Sequence, residues 1–174
     1  MLPITTERLV IREFSIIDAA FIVELMNCPG WIRFIGDRNV KTRSAASNYI
    51  QDKIIRSYRN NGFGLYLVLL KDTKTPIGMC GLVKREGLQN PDLGFALLPQ
   101  YENTGYTSEA AGAVIQYARQ VLQLKELDGI TTADNKASVR VLEKAGLIFL
   151  EQKLLPGHPN SFMLFTMVLH NQAV

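Results

Sequence analysis

Cysteine and histidine are scarce in this chain, with two of each among 174 residues. Cys28 and Cys80 stand 80 − 28 = 52 positions apart, and the histidines are His158 and His170. No zinc-ligand spacing can be assembled from these residues, so no metal is expected and a reduced pair of buried thiols is the simplest account. Long apolar runs are missing too. The longest, Leu65 to Leu70, has six residues, where crossing a bilayer takes about 20. The N-terminal stretch MLPITTERLVIREF puts Glu7 and Arg8 where a signal peptide needs its apolar segment, so a cytoplasmic location without a membrane partner is expected. Charge of one sign is also in short supply: Lys plus Arg less Asp plus Glu is 19 − 16 = +3, scattered along the chain. Such a balance argues against a nucleic-acid partner, yet it does not repel an anionic cofactor. Repeats, low-complexity tracts and Gly/Ser/Pro-rich linkers are absent.

Hydrophobic residues make up 47% and charged residues 20%, the balance of a globular chain. One domain over residues 1–174 is therefore expected, long enough to build a core without a disulfide or metal staple. RLVIREF (8–14) is rich in β-formers and reads as a strand. Ser15 with Asp18 forms a short capping box for a helix carrying Phe21, Ile22, Leu25 and Met26. Residues 28–39, broken by Pro29, Gly30 and Gly36, read as loop or short helix. Thr42 opens a longer helix, with Ala46, Ile50, Ile54 and Tyr58 every fourth residue, stopped at Asn60-Asn61-Gly62. Strands are expected at 63–70, 77–83 and 93–98, spaced as an antiparallel meander. The order then changes to helix 106–122, strand 127–132, helix 136–145, strand 147–152 and a final strand 162–169. A strand, helix, strand passage from Leu93 to Thr132 implies one parallel crossover inside a mostly antiparallel sheet.

The strongest local signal is LGFALLPQYENTGYTSEAAGAVIQYA, residues 93–118. Here a strand passes through a short polar turn into a long amphipathic helix. The first N–H groups of such a helix lack intrahelical acceptors and sit at the positive end of its dipole, so the junction suits an anion. Gly105 allows close backbone approach. A plain strand-to-helix junction with a turning glycine explains the same residues, and neither a Walker lysine nor GxGxxG is present.

The order of elements, with PQYENTGYTSEAAGAVIQYA and TADNKASVRVLEKAGL, resembles the GNAT superfamily of acyl-CoA-dependent N-acetyltransferases. Within it the chain is most similar to the branch that includes ribosomal-protein N-terminal acetyltransferases. The likeness runs from TERLVIREF onward; Asn135, Ser138, Glu143, Lys144 and Gly146 follow the family pattern N-x-x-S-x-x-x-x-E-K-x-G. It implies a mixed, centrally splayed seven-stranded sheet with about four helices. It also implies an acetyl-CoA co-substrate whose pyrophosphate is held by the amides of Asn103, Thr104, Gly105, Tyr106, Thr107 and Ser108. The backbone of Phe95, Ala96 and Leu97 would pair with the pantetheine arm like an extra strand. Three positions depart from the family's phosphate loop. Glu102 is acidic where a cation or neutral residue is usual, Asn103 replaces a glycine and Thr107 adds bulk. Backbone amides make the contacts, so binding is still implied, and Asn tolerates left-handed backbone better than most residues.

Transfer to an amine needs a neutral amine, a polarised thioester carbonyl and a proton for the departing thiolate. Asp92 stands where many relatives carry a Glu and is a candidate proton acceptor, directly or through water; following Pro91, it equally well shapes the entry to its strand. Ser138 shares a helix face with Val141, Leu142 and Ala145 at spacings 0, 3, 4 and 7. The resemblance gives it the thiolate; a serine bonded to the preceding turn is the plainer alternative. Asn135 reads as the helix cap and a further pantetheine contact. Trp31 and Phe34 lie where relatives form one wall of the acceptor site, and His158 lies on the loop that often forms the opposite wall. Glu109 would repel a phosphate and should point away. Neither cysteine has an activating partner, so direct attack by a primary amine, in a protein N-terminus or a small molecule, is expected without an acyl-enzyme. A catalytically inactive acyl-CoA-binding or sensing domain of the same fold stays open, as does monomer against homodimer.

Overall fold

A computed structural model describes residues 3–169; His170 lies outside them. The strands are β1 (Ile4–Thr5), β2 (Leu9–Arg12), β3 (Leu65–Leu70), β4 (Pro76–Val83), β5 (Asp92–Leu97), β6 (Glu126–Thr131), β7 (Ile148–Leu154) and β8 (Ser161–Val168). They form one sheet in the order β1-β2-β3-β4-β5-β6-β8-β7. Every neighbouring pair is antiparallel except β5 and β6. The mixed sheet is thus as the element order implied, with eight strands among the described residues instead of seven. The additional one, Ile4–Thr5, is too short to leave a period in the sequence and exists because Ile11 and Val10 pair with it.

The helices are α1 (Ala19–Met26), α2 (Pro29–Phe34), α3 (Arg43–Tyr49), α4 (Arg56–Asn61), α5 (Tyr106–Gln120) and α6 (Lys136–Lys144). Ser15 and Asp18 form the expected capping box, and a 3-10 turn over Ile16–Asp18 leads into α1. Thr42 caps α3 by accepting from the Ala45 N–H at 3.1 Å. The single long helix expected from Thr42 is interrupted by a wide π-type turn at Ile50–Ile55 before α4 ends on the left-handed Gly62. Counting α2 and the two parts of that rod raises the number of helices above the expected four.

The apolar run of β3 is explained by burial on both faces. Tyr66 and Val68 pack with Ala111, Val114, Ile115 and Ala118 of α5. Leu67 and Leu69 pack with Ile22, Leu25, Ala46 and Ile50 on the other side. Full burial of a Val or Ile side chain is worth on the order of 1.5–3 kcal/mol, so α5 is anchored firmly enough to fix the position of its N-terminus.

Candidate active site

The site begins where β5 and β6 separate. Their only ladder pairing is Asp92 with Asp128, next to the bond from the Asp128 N–H to the Pro91 carbonyl at 2.9 Å. One step on, the Ile130 N–H donates to Asp92 Oδ1 at 3.0 Å. A side-chain oxygen therefore stands where a strand carbonyl would continue the ladder, and beyond it the strands part. The Leu98 N–H donates to the Ile77 carbonyl at 2.8 Å, and strand alternation then turns the backbone groups of Asp92, Gly94 and Ala96 toward β4. Phe95 and Leu97 consequently present backbone N–H and C=O to the gap. Ala96 does not, although it was grouped with them on sequence.

The C-terminal end of β5 leads through a 3-10 turn, Pro99–Tyr101, to the start of α5. Two residues of this loop are left-handed, Asn103 at φ 58° and Gly105 at φ 85°; Asn and Gly are the types that tolerate this. Among the described residues the N–H groups from Asn103 to Ser108 have no protein acceptor; the first bonded one is Glu109, to the Gly105 carbonyl. These amides, a cradle of free donors with the positive end of a helix behind them, form an arrangement that suits an anion.

Arg8, just before β2, fixes the loop from the far side. Its Nη1 donates to the Thr104 carbonyl at 3.1 Å, its Nε to Glu109 at 2.7 Å, and its guanidinium lies 4.5 Å above the Tyr106 ring centre. Glu109 also accepts from the Thr6 hydroxyl at 2.6 Å and the Arg8 N–H at 2.9 Å, so it points away from the cradle as expected. Burial pushes the Glu109 carboxyl up, but the Thr6 and Arg8 donors outweigh it and hold it below its ordinary range.

A cleft of about 1490 Å³ runs from this cradle through the strand gap to α2 and α3. Asp92, Ser138, Phe95, Ala96, Leu97, Asn103, Gly105, Thr107, Ser108, Asn135, Trp31, Phe34 and His158 all line it. Thr104 and Tyr106 do not; the Thr104 hydroxyl donates to the Tyr101 carbonyl at 2.6 Å and Tyr106 is stacked under Arg8. Asn135 caps α6, its Oδ1 accepting from the Ser138 N–H at 3.1 Å. Ser138 is half-buried on the cleft, and among the described residues its hydroxyl makes no hydrogen bond, so the bond to the preceding turn is not formed. On its helix face only Leu142 is fully buried.

Asp92 is 1% exposed. Besides Ile130, it accepts from Arg85 Nε through Oδ2. Burial pushes its carboxyl up, Arg85 opposes this, and the result stays above the ordinary carboxylate range. Arg85 went unremarked on sequence, although an antiparallel hairpin between residues 83 and 92 signals that the loop residue returns beside the strand start. Tyr49, Arg38 and Thr132 also line the cleft; among the described residues the Thr132 hydroxyl and the Trp31 indole N–H are buried without a hydrogen-bond partner. His158 packs edge-on against Phe162 at 5.0 Å. Both thiols are free. Burial pushes Cys80 up to about 12, and Cys28 is raised by burial and by Glu24 and Glu102, so neither is an activated nucleophile.

An open mixed sheet with unbonded amides at its mouth is the architecture of an acetyltransferase-type fold, and comparisons with known proteins agree. Residues 8–148 match the family model described as the acetyltransferase (GNAT) domain. The chain belongs to the GNAT acetyltransferase family. It is 28% identical over 144 residues to the Bacillus subtilis protein named uncharacterized N-acetyltransferase YnaD, covering 83% of this chain and 81% of that one. Among solved structures it superposes on an acetyltransferase from Agrobacterium tumefaciens with TM-score 0.81 at 22% identity, covering 96% and 94% of the two chains. It also superposes on the microcin C7 self-immunity acetyltransferase MccE, solved with acetyl-CoA and AMP, with TM-score 0.79 at 15% identity, covering 94% and 93%. At those identities the shared property is the fold.

Proposed function

We propose that the protein moves an acetyl group from acetyl-CoA to a primary amine by direct attack in a ternary complex, acting in the cytoplasm. The single observation that carries the reading is the coincidence of unbonded amides at Asn103–Ser108 with the parted β5–β6 gap in one continuous cleft. The residues fit the co-substrate: the cradle suits a pyrophosphate, and the free backbone edge at Phe95 and Leu97 suits an amide-bearing arm. MccE, with its bound acetyl-CoA, supports the cofactor class through the shared fold.

Acetyl-CoA supplies a thioester: the amine nitrogen bonds to its carbonyl carbon, the C–S bond breaks, and one proton passes from nitrogen to sulfur. Ser138 donates its unpaired hydroxyl to the departing sulfur. The Phe95 N–H, facing the gap, is the donor for developing negative charge on the carbonyl oxygen. Asp92 is assigned a positioning role, supported by its engaged oxygens and its burial: it ends the ladder at Ile130 and holds Arg85. The ammonium proton leaves to solvent in the open cleft, which is easy for an α-amine with a pKa near 7.7–8.0.

The test is a two-part assay. CoA at millimolar concentration should raise the melting temperature, and free CoA thiol should appear when acetyl-CoA is mixed with a panel of amines and peptides. Stabilisation without thiol release would replace the transferase reading with a CoA-binding sensor; the absence of both would remove CoA altogether.

A further inference from the structure

The acceptor end of the cleft is cationic. Arg38, Lys53, Lys84 and Arg85 line it. Of the four carboxylates lining the cleft, Asp52 is turned on Arg56 at 3.4 Å and Asp92 lies buried behind Arg85. That leaves Glu86 and Glu102 as the carboxylates without an ion-pair partner among the described residues. Arg85 is a built feature, since its Nε is held from behind by Asp92 while its side chain keeps about a third of its surface open (32%). The outer edge of its guanidinium therefore faces the cleft with donors to spare. The Tyr49 phenol lies within the field of both Arg38 and Arg85, which oppose the upward push of its burial. Both guanidiniums line the one cleft. Trp31 lines it too at 6% exposure, and among the described residues its indole N–H is a donor without a partner.

We propose that the acyl acceptor carries, beside its amine, an anionic group, carboxylate or phosphate, bound by the guanidiniums of Arg38 and Arg85. Guanidinium forks match both oxyanions, and two of them lining the cleft, Arg85 at the vertex of the strand gap, repel a polyamine while orienting an amine whose anion lies a few bonds away. This rests on the transferase reading, whose site it specifies.

The experiment uses the whole chain saturated with CoA and four probes: a dipeptide with free carboxylate, the same dipeptide as its amide, a phosphoserine amide, and spermidine. Calorimetry reads binding and thiol release from acetyl-CoA reads turnover. Either anionic probe should bind at least about ten-fold more tightly than the dipeptide amide, and spermidine should bind weakest. Comparing the two anionic probes separates carboxylate from phosphate. In Arg38→Ala, and separately in Arg85→Lys, which keeps a charge beside Asp92 but loses the fork, that discrimination should shrink to about two-fold or less. Equal or better binding of the amide or spermidine to the unaltered protein overturns the proposal, as does discrimination that survives both variants. Anion-selective, arginine-dependent binding with no thiol released would keep the anion site but overturn its role as an acceptor site together with the transferase reading, so the two failures are told apart.

Discussion

Removing Arg85 while keeping Asp92 gives the sharpest physical test of the strand vertex. In Arg85→Met the carboxylate stays 98% buried (its side chain is 2% exposed) and keeps one donor, the Ile130 N–H. Breaking a buried pair from one side costs about 3–5 kcal/mol because the orphaned charge stays out of water. Protonation sets a ceiling: neutralising an ordinary carboxyl at pH 7 costs roughly 1.4 kcal/mol per pH unit above about 3.9, or about 4 kcal/mol, and neutralising Asp92, already raised above that range in the fold, costs less. The expected loss is therefore at most about 3 kcal/mol at pH 7, shrinking as the pH is lowered toward 5. Asp92→Asn keeps an acceptor for Ile130 and frees Arg85, about a third exposed, to turn into the cleft, so its cost should be about 1–2 kcal/mol. The double variant should be more stable than Arg85→Met alone, since the charge is gone with its partner. Urea unfolding of all four proteins at pH 5 and 7, with unchanged slopes, measures each value. A loss below about 1 kcal/mol for Arg85→Met, a loss independent of pH, or a double variant less stable than the single one would refute the account of Asp92 as a charge held by Arg85.

Three further outcomes are expected. Ser138→Ala should lower kcat by about ten-fold or more with CoA affinity nearly unchanged, read by thiol release and calorimetry; unchanged turnover would take Ser138 out of the chemistry. Gly105→Ala forces a side chain onto φ 85° and against Arg8 Nη2 at 3.3 Å, so it should cost about 1 kcal/mol or more of stability and weaken CoA binding several-fold in thermal-shift titrations. Burial raises the Asp18 carboxyl, but Arg12 and Ser15 hold it below the ordinary range, as Thr6 and Arg8 do for Glu109. Their contribution is complete above about pH 4–4.5 and lost as the pH falls through the depressed values; Asp18→Asn and Glu109→Gln should flatten that acid limb in denaturation curves recorded between pH 2 and 6, and an unaltered limb would contradict the assignment.

Much of the fold was legible because local rules carried it. The capping pair Ser15/Asp18, the Thr42 cap, the apolar stripe of α5 and the Asn135 cap depend on residues a few positions apart, and each fixes an element start without reference to the rest of the chain. The Asn103 and Gly105 positions were readable for the same reason, since left-handed backbone is a property of residue type. What the residue pattern does not signal was set by pairing and packing in the folded chain. Ile4–Thr5 is a strand only because Val10 and Ile11 offer it an edge. The wide turn at Ile50–Ile55 interrupts a helix whose four-residue period is unbroken on paper.

Sequence by itself determined the kinds of element, their order and the glycine-bearing left-handed turn before α5, because hydrophobic period, caps and backbone permissiveness act over a few residues. Tertiary structure alone decided that Asp92 ends the β5–β6 ladder and that Arg85 is gripped behind the cleft. It also decided that Arg8, nearly a hundred positions from the loop it fixes, shapes the cradle. The physical reason is that charge pairing and strand separation are governed by distance in space, which chain position does not encode until the sheet has brought these groups together.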